Sequence, residues 1–477
     1  MSDHGHESLR ADLSRAVARE LPGWTVDSMT QLGAGRSAIT VTATLSGPGG
    51  TMRPVAVRAT PASHPGLAIA SLTSQYAVLD RLHRDGFPVP APVLVVEASD
   101  QAAHDLLVTE YIDGEVPDPW RRGGRARIAA LAANERFISD FVETLAGIHT
   151  IRDDDLPPGL RHGDAAGAGY LARTLARIRT AVAESAFADD PVLTYTGNWI
   201  ERNDDGRARG GGLIHGDYRM GNIVIRDDRL VAVLDWELAE SGETLSDLAW
   251  LCGPQARTGG RPAGLYEDAA DLLARYEKAT GLAADDTRVR LLTVAGTLRT
   301  AAVWCRLSTE EAHHGDASRA ARCRDSVVAT IGLCAEVMGL RAAPGDARPD
   351  RPGLLRAVAA EAGAAVTELD HELAAQSSRL TPGMQNARLL LRRISTLTDQ
   401  AYEAFTDGVR WLLDDLGCDH ESVRHADWFA ADRALSHALR EHEYADEPVR
   451  DLVALAARPD IAFANLALAR ARRRDGL

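Results

Sequence analysis

Residues 215–222 read His-Gly-Asp-Tyr-Arg-Met-Gly-Asn, preceded by Gly212-Leu213-Ile214 and followed by Ile223-Val224-Ile225. Thirteen residues beyond Asn222 stands Asp235, closing the apolar run Leu230-Val231-Ala232-Val233-Leu234. The apolar, largely β-branched flanks predict a short strand pair, which places the polar residues on turns at strand ends. Asp217, Asn222 and Asp235 are hard oxygen donors of the kind that suit magnesium. A polar hairpin turn between two buried strands is the bland alternative for the same stretch.

Upstream, residues 7–21 space Leu9, Leu13, Val17 and Leu21 in fours, as an amphipathic helix does. From Met29 to Arg58 the pattern turns to alternation (ITVTATL, then PVAVRAT) interrupted by GAG and GPGG, which reads as strand, glycine turn and two further strands. Helical spacing returns over 67–84, and LLVTEYIDG at 106–114 reads as a strand running into a polar turn. Beyond it, 125–150, 168–186, 264–281 and 286–312 carry apolar residues at threes and fours. The chain is therefore expected to be α+β, with a small β-rich N-terminal lobe (1–113) and a large helical lobe (114–340). A proline-, glycine- and charge-rich linker at 341–352 separates these from a C-terminal all-α domain at 353–477.

A chain of 477 residues is long enough for two or three cores. Its net charge of -15 speaks against broad nucleic-acid binding or docking on an anionic membrane. Five scattered cysteines without a CxxC pair suggest neither a disulfide framework nor a zinc site. The charged N-terminus is unlike a signal peptide and no apolar run reaches spanning length, so a cytoplasmic protein without a membrane segment is expected. Of 53 basic residues only Lys278 is lysine, so work usually given to lysine falls to arginine or to that one residue.

Asp217 and Asn222 share the Asp-x4-Asn spacing of a kinase catalytic loop, and Asp235 ends an apolar strand where kinases place a second metal ligand. On these residues the sequence resembles the aminoglycoside phosphotransferase and choline kinase superfamily over roughly 20–340, with a bilobal protein-kinase-like fold. The resemblance implies ATP and Mg2+ as cofactors, Asp217 as catalytic base, Asn222 and Asp235 as metal ligands, and His215 as a residue shaping the loop. Asp247 either supports that loop or serves as a helix N-terminal carboxylate favoured by the helix dipole. Gly33, Gly35 and Ser37 would form the glycine hairpin over the phosphates, and the backbone at Glu110 and Ile112 would meet adenine.

Two positions depart from that pattern. Arg58 stands where the family has a phosphate-gripping lysine, and Gln75 stands where its glutamate partner is usual. A guanidinium still binds phosphate in bidentate fashion, and a neutral Gln75 would leave the charge of Arg58 free for the nucleotide. His149, at the end of the LAGIHT helix, reads as core packing. The stretches HGDYRMGNIVI, AVLDWELAESGETLSDLAWL, GYLARTLARI and LLARYEKATGL resemble the branch associated with acyl-CoA dehydrogenases, including 4-hydroxyacyl-CoA kinases. QNARLLLRRI and RPDIAFAN in the C-terminal region resemble a helical companion domain of that branch. A small hydroxylated acceptor is implied, such as a hydroxyacyl-CoA. An aminoglycoside or amino-sugar kinase and an inactive kinase-like binding module stay open, as does the oligomeric state.

Overall fold

The computed structural model describes residues 3–34, 39–61, 69–98, 103–162, 169–185, 187–207, 210–283, 285–313, 317–340, 435–437, 439, 453 and 456. Period-two alternation builds the N-terminal sheet: β1 (Thr25–Ala34), β2 (Ile39–Ser46), β3 (Met52–Pro61), β4 (Pro92–Val96) and β5 (His104–Glu110). They pair antiparallel in the order β1-β2-β3-β5-β4. Val41, Ala43, Val55, Val57 and Ala59 share one buried cluster with Leu9, Leu13 and Val17 of helix α1 (Asp3–Glu20). Each such leucine or valine contributes about 1.5–3 kcal/mol by leaving water. Because successive side chains of a strand point to opposite faces, Arg58, between Val57 and Ala59 and opposite Thr40 and Leu107, is set on the face away from α1.

Helix α2 (Leu72–Arg84) starts later than the 67–84 periodicity suggests, because the Ser71 hydroxyl accepts from the Ser74 amide at 3.1 Å and caps it. The helix expected over 125–150 is two: α3 (Arg122–Leu131) and α4 (Glu135–Ile148), broken where the Asn134 side chain accepts from the amides of Arg136 and Phe137. Next come α5 (Tyr170–Ala183) and α6 (Pro191–Asn203), the latter capped by Asp190 with proline at its first position.

Two small sheets frame the quoted loop. Strand β6 (Gly211–Ile214) leads into it, and β7 (Ile223–Arg226) leaves it to pair with β8 (Arg229–Val233) through Asp227 and Asp228, both at positive φ. The partner of β6 is β9 (Glu240–Glu243), a pairing that the polar ESGE sequence does not announce. It is a fully buried strand without alternation, and a Cβ on its Gly242 would lie 2.8 Å from both Ile214 and Tyr170. Helices α7 (Leu245–Cys252), α8 (Ala269–Thr280), α9 (Asp286–His313) and α10 (Ala317–Val337) follow, with α4 packed on α8.

The chain divides into two compact units. One comprises Met1–Tyr170 and Gly206–Leu292, and the other Leu171–Asp205 and Thr293–Leu477. Both the β-lobe and the quoted loop belong to the first. Within the second, α6 meets the described C-terminal positions: the Thr194 and Ser436 hydroxyls are 2.9 Å apart, and the Asn198 amide donates to the Leu439 carbonyl. The linker at 341–352 and nearly all of 353–477 lie outside the described residues. Among the described residues Cys252, Cys305, Cys323 and Cys334 are buried free thiols, and no helix is long and apolar enough to cross a membrane.

Candidate active site

The quoted loop is held by one buried carboxylate. Asp247, in the first turn of α7, accepts from the amides of His215 (2.7 Å) and Gly216 (2.8 Å), so each of its oxygens fixes one peptide of the loop. Gly216 has φ +81, and a Cβ there would come 2.5 Å from the Leu238 carbonyl oxygen; only glycine suits this turn. His215 Nδ1 accepts from the Asp217 amide at 3.2 Å, which puts the proton on Nε2, and Nε2 donates to the Leu234 carbonyl at 2.9 Å. Both imidazole nitrogens are thus spent on backbone.

Behind Asp247 stands a support that the sequence did not reveal. His149 Nε2 donates to Asp247 at 3.2 Å, and its Nδ1 accepts from the Tyr276 hydroxyl at 2.7 Å. Burial alone would raise the pKa of Asp247. The bonds from His149 and from the His215 amide outweigh that and hold it below the usual carboxylate range. His149 therefore contributes orientation as well as packing. Asp247→Ala would strand two amides and an imidazole N–H in a buried site. We expect it to cost roughly 3–5 kcal/mol of stability, the scale for breaking a buried charged network, read as a shift of the urea midpoint.

The Asp217 carboxylate is held from two sides. Arg219 Nε lies 3.0 Å from both of its oxygens, and Asn222 Nδ2 donates at 2.9 Å to its Oδ2 and to its carbonyl. Burial raises the pKa of Asp217; Arg219 pulls it back and the charge of Asp235 pushes it up again, leaving it above the ordinary value. With the Asn222 nitrogen turned to Asp217, its side-chain oxygen is the atom left to meet a cation. Asp235 is tied to the same turn, since the amide of Leu234 donates to the Asn222 carbonyl at 2.8 Å. Its backbone is left-handed (φ 66, ψ 67), uncommon outside glycine and a mark of a side chain aimed by its surroundings.

One amide oxygen and one carboxylate fit a magnesium ion, which takes few protein ligands and fills its octahedron from phosphates and water. Accordingly, among the described residues no group of three or more His, Cys, Asp or Glu converges as a metal cage.

Arg58 reaches this point from β3. Its Nη1 donates to Asp235 Oδ1 at 2.5 Å and its Nη2 to Glu237 Oε2, so Arg58, Asp235 and Glu237 form one cluster. The expectation that a neutral Gln75 leaves the charge of Arg58 free is corrected here. Burial alone would lower the Arg58 pKa, but the two carboxylates raise it above its usual value. The buried Gln75 turns its Nε2 to the Ala70 carbonyl at 2.8 Å.

Of the remaining expected residues, Gly33 lies in β1 next to a register shift between Gln31 and Gly33, while Gly35 and Ser37 lie outside the described residues. Glu110 ends β5, with its amide spent on Ala91 and that of Tyr111 on Pro54; the chain leaves the sheet at Ile112.

Comparison with known proteins gives the family and the fold. Acyl-CoA dehydrogenase family member 11 of Homo sapiens is 32% identical over 179 residues, covering 37% of this chain and 22% of that protein. Its counterpart in Rattus norvegicus is 32% identical over 180 residues, with the same shares. The chain thus spans 22% of the length of these relatives. In fold it is similar to a putative aminoglycoside phosphotransferase from Ralstonia eutropha, with a TM-score of 0.52 at 21% identity, covering 69% of this chain and 98% of that one. The profile of the phosphotransferase enzyme family, APH, matches residues 29–292, more than half of the chain, and the protein belongs to that family.

Proposed function

We propose that the protein transfers the γ-phosphoryl group of ATP to a hydroxyl of a small molecule, and that the acceptor is a hydroxyacyl-CoA. The observation that carries the reading is the convergence of Asp217, Asn222 and Asp235 with Arg58, a cation delivered by the β-lobe. Asp217 orients the acceptor hydroxyl and takes its proton, while Arg219 and Asn222 fix the carboxylate that does so. Asn222 and Asp235 would hold Mg2+, which when bound neutralises the charge of the phosphates. Arg58 addresses the nucleotide, and Ile112 offers its backbone to adenine. The acyl-CoA acceptor is supported by the likeness to acyl-CoA dehydrogenase family members. The C-terminal region, on this reading, is a helical companion to the transfer site.

Activity with Mg2+ and ATP against a panel of hydroxyacyl-CoAs and aminoglycosides tests the acceptor. Phosphorylation of aminoglycosides alone would replace the acyl-CoA reading, and no transfer or nucleotide binding would overturn the kinase reading. Arg58→Ala should raise KM for ATP or lower kcat by roughly ten- to a thousandfold, about 1.4–4 kcal/mol of transition-state stabilisation. Arg58→Lys should keep part of the activity, since the charge survives but the fork geometry is lost. Lys278→Ala, on α8, is the control; an inactive Lys278→Ala beside an unaffected Arg58→Ala would overturn the assignment.

A further inference from the structure

We propose that Glu237, two residues beyond Asp235, is the carboxylate that positions Arg58 toward the nucleotide, in place of a partner on helix α2. The inference rests on the kinase reading above. A phosphate-gripping cation on a strand has a long, mobile side chain and needs a fixed anion to hold it extended over the cleft. Among the described residues, the carboxylates of Asp235 and Glu237 face Arg58. They are not equivalent. An Asp235 oxygen given to a divalent cation has less charge to share with a guanidinium, so Asp235 weakens as a partner when the nucleotide complex forms. Glu237 grips the other nitrogen, Nη2, and keeps it.

The backbone around Glu237 is built for this task. The left-handed Asp235 starts a 3-10 turn over Trp236–Leu238, and this turn carries both carboxylates to the same guanidinium. The Glu237 carbonyl accepts the amides of Ile69 (2.8 Å) and Ala70 (3.0 Å), hanging the segment before α2 on the same residue. Gln75 then donates to the Ala70 carbonyl. The chain Gln75, Ala70, Glu237, Arg58 explains the glutamine: position 75 needs an N–H donor, which an ionised glutamate lacks. A glutamate there would bury a charge facing a carbonyl oxygen.

The test is a double-mutant cycle read by binding of a fluorescent ATP analogue with Mg2+, alongside kcat and the magnesium dependence. Glu237→Gln should weaken nucleotide binding about tenfold, with Glu237→Asp between it and wild type. In an Arg58→Ala background the same Glu237→Gln change should alter affinity less than about twofold, because its effect passes through Arg58. Gln75→Glu should fail to rescue Glu237→Gln and should itself lower the melting temperature.

The proposal is overturned by full additivity of the Arg58 and Glu237 changes, or by rescue through Gln75→Glu. It is equally overturned by a shift in magnesium dependence that persists without Arg58, which would make Glu237 a metal ligand. If wild type and Asp235→Ala behave as a kinase requires while Glu237→Gln binds nucleotide as tightly as wild type, this inference alone fails. A wild-type protein that binds no nucleotide sinks the kinase reading with it.

Discussion

Asp217→Asn is expected to lower kcat at least about a hundredfold while nucleotide affinity stays near wild type. The substitution is nearly isosteric and keeps an oxygen for Arg219 and Asn222, whose bonds to Asp217 hold the loop. What it removes is the capacity to take a proton and the negative charge that aligns the hydroxyl. The pH profile carries a second signature. Burial and the neighbouring Asp235 raise the Asp217 pKa against the pull of Arg219, and the working form is the carboxylate. The acid limb of kcat/KM in wild type should therefore fall at a higher pH than an ordinary aspartate would give, activity being lost as pH drops through the raised pKa. Arg219→Ala should move that limb higher still. A variant at 217 with near-normal turnover, or an acid limb insensitive to Arg219, would remove Asp217 from the proton path.

The legible parts of this site are those written in short spacings or strand parity. Asp217 and Asn222 are five residues apart on one loop between two apolar runs, so their contact follows from local geometry. Arg58 could be set on one face of β3 because Val55, Val57 and Ala59 alternate with it. Glu237 was also in plain sight beside Asp235, but its meeting with Arg58 spans 179 positions, and no local pattern encodes such a pair. The Tyr276, His149, Asp247 support was hidden for the same reason: its members lie on α8, on the end of α4 and on α7.

In the fold, the break between α3 and α4 at Asn134 and the capped start of α6 at Asp190-Pro191 were written in capping residues that apolar periodicity overlooks. Strand β9 carried no such signal. Glu240-Ser-Gly-Glu243 lacks alternation, and a glutamate in it is sustained by a distant partner, Arg288, which pairs with Glu243 in bidentate fashion at 2.7 and 2.6 Å. Tertiary context overrides strand propensity there.

Asp235→Ala should abolish measurable turnover and remove the magnesium-dependent part of nucleotide binding. In the proposed cation site Asp235 would be the carboxylate, so alanine would leave the single neutral oxygen of Asn222. A doubly charged ion beside a triphosphate depends on anionic oxygen for its placement, and misplacing it costs the alignment on which phosphoryl transfer depends. The variant has a further effect, since Asp235 also faces Arg58 and Asp217. Without it, Arg58 keeps Glu237 as partner, and Asp217 loses the neighbouring charge that raises its pKa. Nucleotide binding without magnesium should therefore survive or strengthen, as the cluster around Arg58 carries one negative charge fewer. Titrating ATP into wild type and Asp235→Ala, with and without Mg2+, separates these effects. Wild-type affinity should rise with magnesium while that of the variant stays flat, and an identical magnesium response in both proteins would move the metal away from Asp235.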